Sequence, residues 1–406
     1  MSNRACSTAS VLILVAAGHV LAQEAPDAPA PAPKAPPFLV RPGYEVTVAA
    51  DDFPAARFME FDDKGTLYVS NPGGEILSLR DLDHDGFYET RGTFSRNMKS
   101  VHGLCWANGW LWFTTSGVVW KARDLDGDGD HDELVEVTRD TTLSQGGNHW
   151  MRSILVTRTH FFTSIGDSGN ITDESGTDRQ KIWRFNLDGS GKTLFASGIR
   201  NTEKLRFRPG TEEIWGIDHG SDNFGKALGE RTGSVQPVTD FNPPDELNKY
   251  VEGGFYGHPF ITGYRLPRYE FRERRDIVDL AAKTVVPEWT FPAHSAANAF
   301  CFIDPEVNDR THAFPADHNG DLFVACRGSW NRTVKIGYQI CRVMFDPWTG
   351  APYGMQTIVS TLDANGRTLA RPVDCVQAPD GSVLWSCDET NAVYRLRYTG
   401  LAAAKE

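Results

Sequence analysis

The chain has 406 residues, 40% of them hydrophobic and 23% charged, and a formal net charge of −12. Its acidic side chains are dispersed and no basic run occurs, so neither a nucleic-acid backbone nor an anionic bilayer meets a counterion surface. No nucleic-acid partner is expected.

The first 22 residues read as a signal peptide: Arg4 supplies the positive region, residues 11–21 an apolar stretch, and Val20-Leu21-Ala22 the small-residue cleavage chemistry. The stretch is too short to span a bilayer. A periplasmic or extracellular location without a membrane anchor is therefore expected, with cleavage near Ala22. Residues 23–37 collapse to Ala, Pro and a few charges, a linker that buries too little surface to order itself.

From 38 to 400, two short β-rich runs about a turn recur. Residues 65–70 are followed by 75–80, and 109–114 by 118–123; both copies then read Arg-Asp-Leu-Asp-x-Asp-Gly, beginning at Arg80 and Arg123. That 43-residue period is the length of one four-stranded propeller blade. Weaker copies at 153–185, 204–217, 299–345 and 373–397 bring the count to six. Asp63-Lys64-Gly65, Pro209-Gly210, Asn319-Gly320 and Pro379-Asp380-Gly381 supply hairpin turns. Only 272–283 suggests a helix. The expected fold is all-β: a six-bladed β-propeller of four-stranded antiparallel blades. The run at 44–49 pairs with the last blade and removes an exposed edge. Residues 401–406 form a tail.

Six cysteines follow the leader, with neither a CxxC pair nor a CxxCH haem motif. Disulfides in an oxidising compartment are favoured over metal or haem. Cys326 and Cys387 hold matching places in similar runs, as do Cys301 and Cys375, so two pairs are expected among these four.

Propellers hold ligands at the centre of one face, on loops around the inner strands, and function must be read there because the fold alone serves many activities. Gly146-Gly147-Asn148-His149-Trp150-Met151-Arg152 precedes an inner strand, placing His149 near the funnel as a candidate general base. Ser197-Gly198-Ile199-Arg200-Asn201-Thr202 does the same for Arg200, which can grip a carboxylate with paired hydrogen bonds, and for Asn201. Ile217-Asp218-His219-Gly220-Ser221-Asp222, Asp245-Glu246-Leu247-Asn248 and Tyr256-Gly257-His258-Pro259 bring further polar loops to the same place. His102, His219, His258 and His294 lack compact metal-ligand spacing. Trp106, Trp112, Trp183, Trp215 and Trp385 fall on strands as blade core, whereas Trp150 and Trp330 sit in loops suited to substrate contact.

These motifs together resemble the soluble glucose/sorbosone dehydrogenases that use pyrroloquinoline quinone (PQQ). The resemblance runs from Arg41-Pro42-Gly43-Tyr44-Glu45-Val46 to Arg371-Pro372-Val373-Asp374. It is carried by Gly-Gly-Asn-His at 146–149, Gly-Ile-Arg-Asn at 198–201 followed by Phe207-Arg208-Pro209-Gly210, His219-Gly220 then Asp245-Glu246-Leu247-Asn248, and Arg327-Gly328-Ser329-Trp330-Asn331-Arg332. It implies a secreted quinoprotein that oxidises an aldose or related sugar and passes electrons to an external acceptor. His149 would take the hydroxyl proton, Arg200 and Asn201 would contact the quinone, with Arg200 stabilising developing charge. Arg327 and Arg371 would pair with the cofactor's carboxylates. The backbone carbonyls of Gly220 and Ser221 would hold a calcium ion. Three positions depart from the pattern: Val373 where glucose-oxidising members carry a second arginine, Ser221 for proline, and Asn148 for aspartate. They point away from glucose as the specific substrate.

Asp81, Asp83 and Asp85 before Gly86, and Asp124, Asp126 and Asp128 before Gly129, have the alternate-carboxylate spacing of calcium loops. Position twelve is Gly92 in one and Val135 in the other, so neither is an EF-hand. The second loop is the stronger candidate for structural calcium, since His84 dilutes the charge of the first; the alternative is a solvated turn. For the whole chain, the competing reading is a non-enzymatic propeller that binds a glycan or a protein. A calcium-dependent lactonase ranks last, because the funnel loops offer histidine and arginines.

Overall fold

The computed structural model describes Met1 and residues 33–400 except 53, 140, 141 and 308. The expected signal peptide, the linker up to residue 32 and the tail at 401–406 lie outside the described residues. Contacts divide the chain into Met1–Pro33, of which only the two end residues are described, and Lys34–Glu406.

Six antiparallel blades follow one another along the second unit. Blade 1 is Met59–Phe61, Leu67–Asn71, Glu75–Arg80 and Thr90–Ser95; blade 2 is Leu104–Ala107, Trp110–Thr114, Val119–Arg123 and Glu133–Glu136. Blade 3 is Leu155–Val156, His160–Ile165, Lys181–Asn186 and Thr193–Ser197; blade 4 is Thr202–Phe207, Ile214–Asp218, Asp245–Tyr250 and Trp289–Phe291. Blade 5 is Ala297–Phe302, Leu322–Cys326, Gln339–Phe345 and Pro352–Ser360. Blade 6 is Pro372–Gln377, Val383–Cys387, Ala392–Tyr398 and, as its outermost strand, Tyr44–Ala50. The expected closure is therefore present, with Tyr44 opposite Tyr398 through Val48 opposite Tyr394 and, after a register shift, Ala50 opposite Val393. Two additions were not legible in the sequence. Leu39–Val40 pairs with Pro352–Ser360 at the outer edge of blade 5, and Gly254–Phe255 pairs in parallel with Thr193–Ser197.

The hairpins form for local reasons. In blade 1 the Asp62 carboxylate accepts the amides of Lys64 (2.9 Å) and Thr66 (2.7 Å), and Gly65 takes φ +84°, a region that costs glycine nothing. The helix expected from 272 begins later, at Ile277–Lys283, because Arg274 grips the Asp276 carboxylate at 3.0 and 2.9 Å and the chain turns there.

Blade faces pack through large apolar side chains. Trp112, Trp215 and Trp385 are fully buried, and Trp215 meets Phe302 and Phe345 of blade 5 edge-on, with ring centroids 6.1 and 5.4 Å apart. All six cysteines are buried and free, so the expected disulfides among Cys301, Cys326, Cys375 and Cys387 do not form. Matching places in successive blades stand a whole blade apart, and the near contact is instead Cys326 with Cys341 on the adjacent strand, Sγ to Sγ 3.8 Å.

First strands of successive blades touch one another around the ring. Because strands alternate in direction, loops entering first strands and loops joining second to third strands open on one face, and the remaining hairpins on the other. The centre is closed by ion pairs between blades: Lys204 with Asp374, Arg206 with Glu60, and Arg57 with Glu203. Among the described residues no helix is long and apolar enough to cross a membrane.

Candidate active site

The loops of the first face surround a funnel of about 500 Å³, within the range of cofactor and substrate sites. It brings together His149, Arg200, Asn201, Gly220, Arg327 and Arg371, six of the positions singled out in the sequence, from blades 3, 4, 5 and 6. Trp150 and Trp330 line it too. Trp330 is 64% exposed, a ring at the mouth.

His149 is buried, and its Nδ1 stands 2.8 Å from the Asp167 carbonyl oxygen. That acceptor fixes the proton on Nδ1 and leaves Nε2 with a lone pair. Burial, then the nearby Arg200 charge, push the His149 pKa down to about 3, so the imidazole is neutral at physiological pH. The Asp167 carboxylate is itself held by His258 Nε2 at 2.7 Å and by the amides of Gly169 and Thr172, which fixes the carbonyl that orients His149.

Arg200 spends its donors within the protein. Nε reaches the Asn170 carbonyl at 3.0 Å, Nη1 the Gly220 carbonyl at 3.0 Å, and Nη2 the Asn170 side chain at 2.8 Å and Asp222 at 3.3 Å. It therefore offers a fixed positive charge more than free hydrogen bonds. Asn201 Nδ2 donates to Glu203 at 3.0 Å and lies 3.1 Å from His219 Nδ1, while His219 Nε2 donates to the Ala297 carbonyl at 3.0 Å. Arg327 forks onto Asp388, with its shortest contact at 2.9 Å. Arg371 has no carboxylate within 4.0 Å among the described residues; its guanidinium meets the Arg327 and Gly328 carbonyls at 3.4 and 3.5 Å and lies 5.8 Å from the Tyr338 ring centroid.

Ser221 adjoins Gly220, and the expectation for it concerned its backbone carbonyl. Its hydroxyl faces away from the funnel, into a small polar pocket where Arg268 donates to it. His102 packs beneath the funnel lining, 1% exposed, its ring tilted against Phe58 with centroids 4.0 Å apart and its Nε2 3.3 Å from Glu203. His219 and His294 do line it. Asp245, from the expected Asp-Glu-Leu-Asn segment, lines it as well, whereas sequence reasoning missed Arg57, Glu203 and Asp388, which also line the funnel. Arg57 had a usable signal: it stands two residues before the first strand of blade 1, the same place that Arg200 holds in blade 4. Asp388 directly follows the second strand of blade 6, as Arg327 follows that of blade 5.

The lining fits an anionic planar ligand in one respect and a cation in another. Among the described residues Arg371 meets no carboxylate and the buried Nε of Arg57 has no acceptor; both suit carboxylates. The Gly220 carbonyl and Asp222 are oxygen donors suited to a hard cation, although Arg200 now occupies them. On the opposite face, the carboxylates of Asp124, Asp126 and Asp128 converge within 4.8 Å, as do those of Asp81, Asp83 and Glu89. Asp124 also accepts the amides of Gly127 and Gly129, at 2.6 and 2.9 Å. Glu89 stands at position nine counted from Asp81, a position the twelve-residue template fills, often through water.

Comparison with known proteins agrees with this layout. A curated Borreliella burgdorferi protein called uncharacterized is 29% identical over 219 residues, 53% of this chain and 52% of its own length. Quinoprotein glucose dehydrogenase B of Acinetobacter calcoaceticus is 25% identical over 255 residues, 52% of this chain and 48% of its own length. The chain thus matches about half the length of these curated relatives. Among solved structures, the calcium structure of a Trichoderma reesei carbohydrate-active enzyme of family AA12 superposes with TM-score 0.74 at 19% identity, covering 89% of this chain and 97% of that one. The PQQ domain of Coprinopsis cinerea pyranose dehydrogenase gives 0.71 at 18% identity, covering 90% and 98%. The apo soluble aldose sugar dehydrogenase of Escherichia coli gives 0.61 at 18% identity, covering 87% and 99%. These structures share the fold, and the resemblance read from the loop motifs is borne out by the family model, which matches residues 38–399: the chain belongs to the TrAA12-like family.

Proposed function

We propose that the protein is a secreted quinoprotein dehydrogenase that oxidises an aldose or related sugar and passes the electrons to an external acceptor. The observation that carries this reading is the meeting of a neutral, oriented imidazole with Arg200, Arg327 and Arg371 in one funnel. When bound, PQQ supplies the two-electron acceptor that no side chain provides. Arg371 and Arg327 would hold its carboxylates, and Arg200 with Asn201 would contact the quinone.

The chain's own part is proton transfer, orientation and electrostatics. His149 Nε2 takes the sugar hydroxyl proton, and the Asp167 carbonyl steadies Nδ1–H while positive charge grows on the ring. The rigid Arg200 charge favours negative charge developing opposite it without reorganising, because its donors are already engaged. Trp150 and Trp330 offer ring faces to the sugar's C–H surface. A calcium ion would be held by the backbone carbonyls of Gly220 and Ser221, oxygen donors suited to a hard cation.

The low pKa of His149 has a kinetic consequence. A free imidazole would be half protonated near pH ~6.5 and lose its basic form below it. With the folded value lowered to about 3, the base form persists well into the acid range. The acid limb of kcat/KM is expected well below pH 6.5; a limb at 6.5 that disappears in no other group's variant contradicts the assignment.

We also place a structural calcium ion at Asp124, Asp126 and Asp128. Calcium added to chelator-treated protein is expected to raise the melting temperature, and Asp126→Asn with Asp128→Asn to remove that rise. An equal rise in both proteins would assign the effect elsewhere.

The reading as a whole is tested by loading the protein with PQQ and calcium and assaying a panel of aldoses with an artificial electron acceptor. Turnover of at least one sugar supports it. A chain that binds sugar or protein without turnover would be a non-enzymatic propeller.

A further inference from the structure

We propose that Arg57 is a further anion-binding residue of the funnel, presenting its guanidinium beside those of Arg327 and Arg371 to a carboxylate of the ligand, with Asp388 and Glu203 as the positioning residues that hold it. This rests on the quinoprotein reading above and adds to it a residue outside the motifs that suggested that reading.

Arg57 enters the site from blade 1 and lines the funnel. Nη1 donates to Asp388 of blade 6 at 2.9 Å, and Nη2 to Glu203 of blade 4 at 3.3 Å. Carboxylates from two other blades thus fix the fork, leaving its planar edge pre-set and its rotamer entropy already spent. Its Nε is buried and has no acceptor among the described residues, although a guanidinium carries five donors and buried donors are normally satisfied.

The neighbours extend the pattern. Asp388 also receives Arg327 at 2.9 Å, so one carboxylate sets two guanidinia side by side. Arg371 reaches the Arg327 carbonyl at 3.4 Å, which places a third against them. Three adjacent blades therefore build one cationic wall. Blade 6 itself cannot add another cation from its first strand: Val373 is 0% exposed and lies in the apolar cluster with Phe58 and Ala299. Arg57, the residue before Phe58, supplies the charge from the adjoining blade. The ligand class is an aromatic polycarboxylate, of which PQQ is the probe.

The test is an equilibrium titration of the full chain with PQQ in the presence of calcium, followed by cofactor absorbance and by tryptophan fluorescence, with thermal melting of each unliganded protein as control. Arg57→Gln is expected to weaken binding about 10–100-fold, the worth of a charge-assisted hydrogen bond. Arg57→Lys, which keeps the charge but not the fork, should fall between it and the unaltered chain. Arg371→Gln serves as the comparator. If both Arg57 variants bind as the unaltered chain does while Arg371→Gln is weakened, Arg57 only ties blades together and the proposal is overturned. If the unaltered chain binds no PQQ, the quinoprotein reading falls first and this inference falls with it.

Discussion

Replacing His149 by alanine lowers the rate of sugar oxidation by the PQQ-loaded protein about 10²–10⁴-fold, the usual weight of one positioned acid or base, and leaves PQQ affinity within a few-fold of the original. The split follows from the geometry. Only Nε2 is free to take a proton, since Nδ1–H is committed to the Asp167 carbonyl at 2.8 Å, whereas the groups that suit the cofactor's carboxylates, Arg327 and Arg371, lie on other blades. His149→Gln should be as inactive as alanine, because an amide can fill the space but cannot accept the proton. Rapid-mixing kinetics with a saturating aldose separate the outcomes: a fall in affinity with unchanged chemistry would make His149 a cofactor contact instead of a base.

The largest expected loss of stability comes from Lys204, far below the funnel mouth. Its ammonium donates to Asp374 at 2.5 Å and to the Cys375 carbonyl at 2.8 Å, and both side chains are almost wholly enclosed, at 2% and 0% exposure. Asp374 in turn accepts the Met59 amide at 2.9 Å, so this one pair ties blades 4, 6 and 1 across the central channel. Lys204→Ala strands the Asp374 charge in the interior, which costs about 3–5 kcal/mol, whereas replacing both partners with apolar groups of similar volume costs much less. Denaturant midpoints of Lys204→Met, Asp374→Leu and the double variant check this. Additive losses in the double variant would show that the two residues do not act as a pair.

The sequence showed the architecture because the blade is a local unit repeated: the matched Arg-Asp-Leu-Asp runs at Arg80 and Arg123, hairpin chemistry such as that at Gly65, and a spare first strand at 44–49 all state themselves within a few residues. The site was half visible for the same reason. His149, Arg200 and Arg371 stand at entries to first strands, and Arg327 follows a second strand; both places face the funnel. Arg57 holds such an entry as well, but it lies outside the resembling motifs and its partners Glu203 and Asp388 are distant in the chain. Long-range pairing of this kind leaves no local trace.

The misreadings have the same origin. Equivalent cysteines were expected to pair because they occupy equivalent places, yet equivalence in a propeller means separation by one blade. In the Asp81 loop, Glu89 joins Asp81 and Asp83 in place of the expected Asp85.

The most direct test of the central claim is the absorbance titration of the unaltered protein with PQQ and calcium, followed by anaerobic addition of aldoses. Saturable binding near one PQQ per chain, with bleaching of its absorbance on sugar addition, is the result predicted. Failure to bind PQQ at micromolar concentrations with calcium present would contradict it, and would leave the funnel as the ligand site of a propeller that performs no redox chemistry.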